Sequence, residues 1–260
     1  MDSYRHPSEA IAMLFTLIVV GGVLLLASVF TLFLAPLLVG LFIFMAYQAS
    51  QAMHRNLMRQ ATQITSQTSP RLTSLAQECV QRLKPGAVQF FAARSNQLNA
   101  YTFGLSSPKV VVLYTSLFEI LDPEEMKFII GHELGHVALG HTWLNTLLGG
   151  MAGVPTGFGG AVLLTLAFRG WNRACEYSAD RGGLLACGSL DKAISALVKV
   201  STGEVRSQVE LEQALRMIEK EDDSPLSLLS ESLSTHPMVV KRIAELRRYA
   251  ASIKFPNRTV

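Results

Sequence analysis

The sequence predicts an α+β fold, mainly helical, with a small sheet and an N-terminal transmembrane segment or hairpin. Three observations lead there. Residues 11–47 contain no charged side chain, far more than the ~20 apolar residues that cross a bilayer core once. Short runs rich in β-branched and aromatic residues, "AVQFF", "NAYTFG" and "KVVVLYT", sit between turn-prone residues and read as about three strands. Most of the remaining chain shows helical periodicity with marked starts and stops.

Composition agrees with membrane attachment. Of the 260 residues 49% are hydrophobic and only 17% charged, and mean hydropathy is +0.30, more apolar than an ordinary soluble domain. The net charge of +3 is a mild basic bias, and no Lys/Arg run is interleaved with aromatics, so nucleic acid is not an expected partner. Cys79, Cys175 and Cys187 are odd in number, scattered and free of any CxxC. They indicate neither a disulfide framework nor a thiolate zinc site, and fit a reducing compartment.

Residues 1–50 read as the membrane anchor. The run could be one tilted span or a tight hairpin of two minimal spans turning near Ala27 to Pro36. The hairpin is the expectation, because it leaves Arg5 and Arg55 on one side. With His54, Arg55 and Arg59 after the run, the positive-inside rule puts the following domain, 51–260, in the cytoplasm. A signal peptide is not expected: the apolar run is too long and no small-residue cleavage site follows.

In the second domain, 51–67 and 69–83 read as polar-rich helices, the latter opened by Ser69 as N-cap with Pro70 at its first position and closed by "LKPG". The three strands follow. The next helix has the best-marked start in the chain, with Asp122 as N-cap, Pro123 at N1 and Glu125 at N3, and should reach about His141. A second apolar stretch, 144–168, is broken by "GGMAGVPTGFGG", which lacks the spacing of a nucleotide-binding loop. A helix holding "ACEYSAD" and several amphipathic helices complete the chain.

The chemistry lies in "FIIGHELGHVALGH". On a helix, His132 and His136 project from one face a turn apart and can reach one metal ion, with Glu133 flanking them. Zinc in a catalytic site takes three protein ligands plus a water acidified to a pKa near ~7, whose proton Glu133 can accept. A third ligand can come from "EYSAD": Glu176 and Asp180, at i and i+4, share a face. Glu176 can bind the metal while Asp180 accepts a hydrogen bond from a ligand histidine. Read alone, the histidines could be structural and the acidic pair a solvated helix face.

Taken together, these motifs resemble, across residues 99–247, the integral-membrane zinc metalloendopeptidases that include the bacterial HtpX-like heat-shock proteases and the CAAX prenyl proteases. "NAYTFG" is similar to that family's Asn-Ala strand motif, "GHELGH" to its zinc helix, "EYSAD" to its third-ligand helix and "THP" to its late His-Pro signal. The resemblance implies a zincin-like fold, one Zn2+ per chain held by His132, His136 and Glu176, Glu133 as general base and Asp180 behind a ligand. It also implies that His236 stabilises the oxyanion and that Asn99 contacts the substrate backbone. Without the family, His236 would be a helix-start residue and Asn99 a turn residue.

Other residues receive plainer readings. His141, five residues beyond His136, is expected to face away from the metal, His6 and His54 to be interfacial, and Cys175 to be core. "KVVVLYT" reads as a core strand or, with Val111, Val112 and Leu113, as an edge strand that pairs with an extended substrate. Because His136 and Glu176 must meet, 144–168 cannot cross the bilayer once, and at 25 residues it is too short to cross twice. It is expected to be a re-entrant or interfacial hairpin, or a lid, turning at its glycines and Pro155.

The function these features imply is zinc-dependent hydrolysis of internal peptide bonds in membrane or misfolded proteins, as in protein quality control, at a bacterial-type inner membrane with the site facing the cytoplasm. The expected partners are polypeptide substrates and the lipid bilayer. The alternatives are a non-catalytic, metal-stabilised membrane adaptor and a CAAX-type prenyl-peptide protease, for whose many spans this chain is short. A soluble-peptide aminopeptidase would need an acidic anchor for a substrate N-terminus, which the sequence does not display.

Overall fold

The computed structural model describes residues 4–143, 159–203, 208–221 and 239–255. Its first two helices are α1, Ser8–Phe30, and α2, Leu34–Gln60, joined by a three-residue turn. The turn requires left-handed backbone at Leu32 (φ 48°) and Phe33 (φ 65°). Thr31 secures it: its hydroxyl donates to the Ala27 carbonyl at 2.6 Å and accepts from the Ala35 N–H at 3.0 Å. Both helices are long and apolar enough to cross a membrane, and their apolar windows are only 6% buried within the protein. The apolar run thus forms two helices joined by a turn rather than one continuous helix. It also outlasts its prediction, since α2 continues through Gln60 and absorbs most of the separate helix expected at 51–67.

The sheet has four strands where three were expected: β1, Thr62–Gln63; β2, Val88–Ala93; β3, Ala100–Phe103; and β4, Lys109–Tyr114, in the order β1-β2-β4-β3. β1 is polar and two residues long, which is why alternation did not reveal it. β4 runs parallel to β2, with Phe90 opposite Val111, and antiparallel to β3, with Thr102 opposite Val111. β4 is therefore interior, and Val111, Val112 and Leu113 are fully buried. This corrects the expectation that they form an edge; the edge beside the motif helix is β3.

Between β1 and β2 lies α3, Pro70–Leu83, with Ser69 at its N-cap. A short α4, Leu117–Ile120, leads into α5, Pro123–Ala138, which carries the HExxH residues. The predicted capping box is present, with Glu125 N–H on Asp122 Oδ1 and Asp122 N–H on Glu125 Oε2, both at 2.9 Å. Then come α6, Gly159–Cys187; α7, Leu190–Thr202; α8, Gln208–Glu221; and α9, Val239–Ser252. Of the apolar stretch 144–168, the residues up to 158, including Pro155, lie outside the described residues; the remainder is the start of α6, continuous with the helix that holds "EYSAD".

The core gathers Val111 and Leu113 of the sheet, Phe128, Ile130 and Leu134 of α5, Leu184 of α6 and Leu246 of α9. Where α5 meets α6 the contact is closer than side chains allow. A Cβ on Gly131 would stand 2.3 Å from the Ala186 methyl, one on Gly135 would stand 3.0 Å from Ala179 Cα, and one on Gly183 would enter the Phe128 ring at 2.7 Å. This glycine seam brings the two helix backbones together and so brings His132 and His136 of α5 close to Glu176 of α6. A second small cluster packs Phe168, Trp171 and Cys175 of α6 against Ala12, Met13 and Val20 of α1, so the first apolar helix is in contact with α6.

Candidate metal centre

His132 and His136 lie in successive turns of α5, and Glu176 projects from α6 across the glycine seam. Their donor atoms all lie within 4.8 Å of one another. The Nε2 atoms of His132 and His136 are 3.2 Å apart; His132 Nε2 is 3.6 Å from Glu176 Oε2, and His136 Nε2 is 3.5 Å from Glu176 Oε1. Around a tetrahedral zinc with bonds of ~2.05 Å to nitrogen and slightly longer to oxygen, such edges measure about 3.3 to 3.5 Å. The donor set and its spacing fit a zinc ion.

His132 is held from behind. Its Nδ1 is 2.9 Å from Asp180 Oδ1, and a carboxylate there accepts a hydrogen bond from the Nδ1–H, leaving Nε2 of the neutral ring bare toward the centre. Asp180 is itself gripped by Arg242 of α9, with Nε 2.8 Å from Oδ2 and Nη2 2.5 Å from Oδ1, while Arg242 Nη1 lies 3.3 Å from Glu176 Oε2. One buried guanidinium thus ties a candidate ligand to the group behind another. Burial alone would raise the Asp180 and Glu176 carboxyls, but the Arg242 charge and the histidine hydrogen bonds outweigh it and hold both below the ordinary range, Glu176 well below. Burial likewise opposes an imidazolium at His132, yet the Asp180 hydrogen bond and the two carboxylates raise it above its ordinary value.

Glu133 is 6% exposed, and its Oε2 accepts the Thr102 hydroxyl at 2.7 Å. Thr102 belongs to the edge strand β3, so the strand that could receive a substrate also orients the carboxylate that could act on it. Asn99 lies just before β3, and its carbonyl accepts the Tyr114 N–H at 3.1 Å. His236 lies outside the described residues.

Three features escaped sequence reasoning. Arg242 is one cation among several in a basic C-terminal helix. Thr102 lay inside a motif read for its asparagine, although strand alternation could have singled it out. His141 does not face away. Helical projection fails beyond Ala138 because Gly140 takes φ +78°, and a Schellman turn follows, with His141 N–H on the His136 carbonyl at 2.9 Å and Gly140 N–H on the Val137 carbonyl at 3.1 Å. The ring folds back until its Nδ1 is 2.9 Å from His136 Nδ1. Burial, against the pull of Glu9, keeps the His141 imidazole below its ordinary pKa. The other flanking histidines also pack on protein: His54 stacks on Phe103 at 3.8 Å, and the His6 ring lies 3.5 Å from Glu245. Cys175 is buried as expected, and its sulfur stands in a second group of potential metal donors with Glu9 and His141.

The model of peptidase family M48 matches residues 66–250, which contain every one of the candidate ligands and the carboxylate beside them. The chain belongs to peptidase family M48. The plastoglobule-localized metallopeptidase 48 of Arabidopsis thaliana is 30% identical over 203 residues, 72% of this chain and 58% of the relative. A protease HtpX homolog of Ralstonia nicotianae is 27% identical over 230 residues, covering 76% and 80% of the two chains. A CAAX prenyl protease 1 homolog of Dictyostelium discoideum matches more locally, at 44% over 55 residues, 21% of this chain. The M48 likeness is thus HtpX-like over most of the domain and prenyl-protease-like over a short stretch. The chain spans 58% of the plastoglobule metallopeptidase and 66% of the protease HtpX homolog 2 of Methanosarcina mazei.

Proposed function

We propose that this chain is a membrane-anchored, zinc-dependent endopeptidase that cleaves internal peptide bonds of membrane or misfolded proteins, serving protein quality control from the cytoplasmic face of a bacterial plasma membrane. The observation that carries the reading is the His132, His136 and Glu176 cluster at tetrahedral spacing with Glu133 beside it. A zinc ion held by those three would supply Lewis acidity, polarising the scissile carbonyl and making water acidic enough to ionise near neutral pH.

The chain's own residues do the rest. Glu133, oriented by Thr102, takes the proton from the attacking water and delivers it to the departing amine, a transfer worth roughly 10²–10⁴ in rate. Asp180 and Arg242 hold His132 and Glu176 in place. Asn99 and the free side of β3 hold the substrate as an added antiparallel strand, using main-chain hydrogen bonds that make little demand on sequence. Strand β4, being interior, is left out of that role. His236 is retained as the group that stabilises the oxyanion. The apolar hairpin sits in the bilayer as the anchor, residues 1–50, with Arg5, Arg55 and Arg59 on the cytoplasmic side.

The test is cleavage of casein by the purified, zinc-loaded protein in detergent. Activity should vanish with a chelator and return with zinc, and Glu133→Gln should lower it at least a hundredfold while metal content stays at one per chain. Full activity in Glu133→Gln would refute the mechanism.

A further inference from the structure

Glu9 is the acidic residue at the first turn of the anchor helix, yet it is 2% exposed and turned into the protein. Its Oε1 lies 3.1 Å from His141 Nε2, its Oε2 accepts the Ser178 hydroxyl at 2.6 Å, and Arg5 pairs with it. His141 Nδ1 in turn meets His136 Nδ1 at 2.9 Å. The line from Glu9 through His141 to His136 is therefore the counterpart of the one from Arg242 through Asp180 to His132.

For neutral rings facing the Glu9 carboxylate, the tautomers along the line follow from the geometry. A carboxylate can only accept, so His141 must carry its proton on Nε2. Neutral His141 then has a bare Nδ1, which must accept from His136, and the single His136 proton is placed on Nδ1. His136 Nε2 is left with its lone pair aimed at His132 Nε2, 3.2 Å away. Two bare ring nitrogens so close repel unless a cation lies between them.

We propose that Glu9 is a positioning residue of the metal centre, acting through His141 to fix the tautomer and orientation of His136. The inference rests on the metallopeptidase reading and extends it. The anchor helix becomes part of the ligand scaffold, so the hairpin is needed for metal affinity as well as for location. The neighbouring Ser178, two residues from both Glu176 and Asp180, joins the anchor to the second ligand helix, because its hydroxyl also accepts the His6 N–H at 2.8 Å.

The experiment measures Zn2+ affinity by chelator competition on the full chain in detergent, together with the visible spectrum of the Co2+-loaded protein. Wild type, Glu9→Leu, Glu9→Gln, His141→Leu and His136→Ala are compared, and the metal-free melting temperature of each is recorded. Glu9→Leu and His141→Leu should weaken binding roughly 10- to 100-fold and alter the cobalt bands. Glu9→Gln, which keeps an acceptor oxygen for His141, should lose less. His141→Leu leaves Glu9 its Ser178 and Arg5 partners, so it still gives an answer if Glu9→Leu fails to fold. Wild-type affinity and an unchanged cobalt spectrum in folded Glu9→Leu or His141→Leu would overturn the proposal, even if their melting temperatures fell. A second metal equivalent lost in Cys175→Ser would also overturn it, because Glu9 and His141 would then be ligands. Loss of binding in His136→Ala shows that the metal centre on which the metallopeptidase reading rests stands whichever way the Glu9 result falls; a wild type that binds no metal sinks both.

Discussion

The candidate metal site is built residue by residue, and each of His132, His136 and Glu176 is backed by another side chain. Asp180 is the clearest case, 1% exposed between His132 and Arg242. Asp180→Ala should weaken zinc binding roughly 10- to 100-fold, because His132 loses the acceptor that fixes its ring. It should also lower stability by about 3 kcal/mol or more, because a buried guanidinium loses its main partner; chelator competition and urea titration measure the two effects separately. Thr102→Val is the complementary case. It keeps the shape of a strand residue but removes the hydroxyl on Glu133, and hydrogen bonds to charged groups are worth about 1.5–3 kcal/mol. The expected outcome is a fall in kcat of roughly tenfold or more with KM and zinc content unchanged, read by steady-state cleavage of a quenched peptide. His132, Glu133, His136, Glu176 and Asp180 were legible because helical spacing is local and survives folding. Arg242 and His141 were not. The first is joined to the site by tertiary packing alone, and the second was hidden by one glycine with positive φ.

The elements hold these residues through two devices, a glycine seam and a cap. Gly131 and Gly135 lie a turn apart on α5, as His132 and His136 do, so the motif that sets the ligand spacing also lets α6 approach. Gly131→Val would drive branched methyls into Ala186, where even one Cβ stands at 2.3 Å. Overpacking of this kind costs about 1–3 kcal/mol, and more where backbone is the obstacle. Because the helices would separate, Glu176 would leave bonding reach and metal affinity should fall with the melting temperature. The cap at Asp122 acts on the same helix from its other end. Burial raises the Asp122 carboxyl, but the Glu125 N–H and the Lys192 ammonium lower it further, to a net value below the ordinary one. The folded chain therefore binds that proton more weakly than the unfolded chain. The cap's stabilisation is complete above about pH 4 and drains away as pH falls through the folded pKa. Asp122→Ala should cost about 1 kcal/mol at pH 7, and the gap to wild type should narrow in melts taken progressively below pH 4. The cap was legible because its partners are three residues apart. Strand order was not, since β4 enters between β2 and β3 and a long apolar strand reads alike at an edge or in the interior.

At the scale of the whole molecule the question is how the apolar hairpin and the M48 domain share one chain. The start of α1 is tied to the domain at several points: Arg5 Nη2 donates to the Leu139 carbonyl at 2.9 Å, the His6 N–H to Ser178, and Glu9 reaches His141. The end of α2 passes directly into β1, which pairs with β2. Both ends of the hairpin therefore join the same body, a stronger argument for common sidedness than the few flanking arginines that suggested it in the sequence. A 23-residue helix is about 34 Å long, enough for a hydrocarbon core of ~30 Å. If α1 crosses, the turn at Leu32 must emerge on the far side and α2 must return. Sealed vesicles test this, aided by the burial of all three native cysteines, Cys79, Cys175 and Cys187. A membrane-impermeant maleimide should label Leu32→Cys from one face of the membrane only and the exposed position Ser66→Cys from the opposite face only. Labelling of both from the same face would mean that the hairpin lies along the bilayer surface, with its exposed apolar residues, such as Phe15, Leu25 and Phe30, dipped into one leaflet. The bonds from Glu9 to the metal helix would then persist, but the substrate would approach in the plane of the headgroups instead of from the aqueous side.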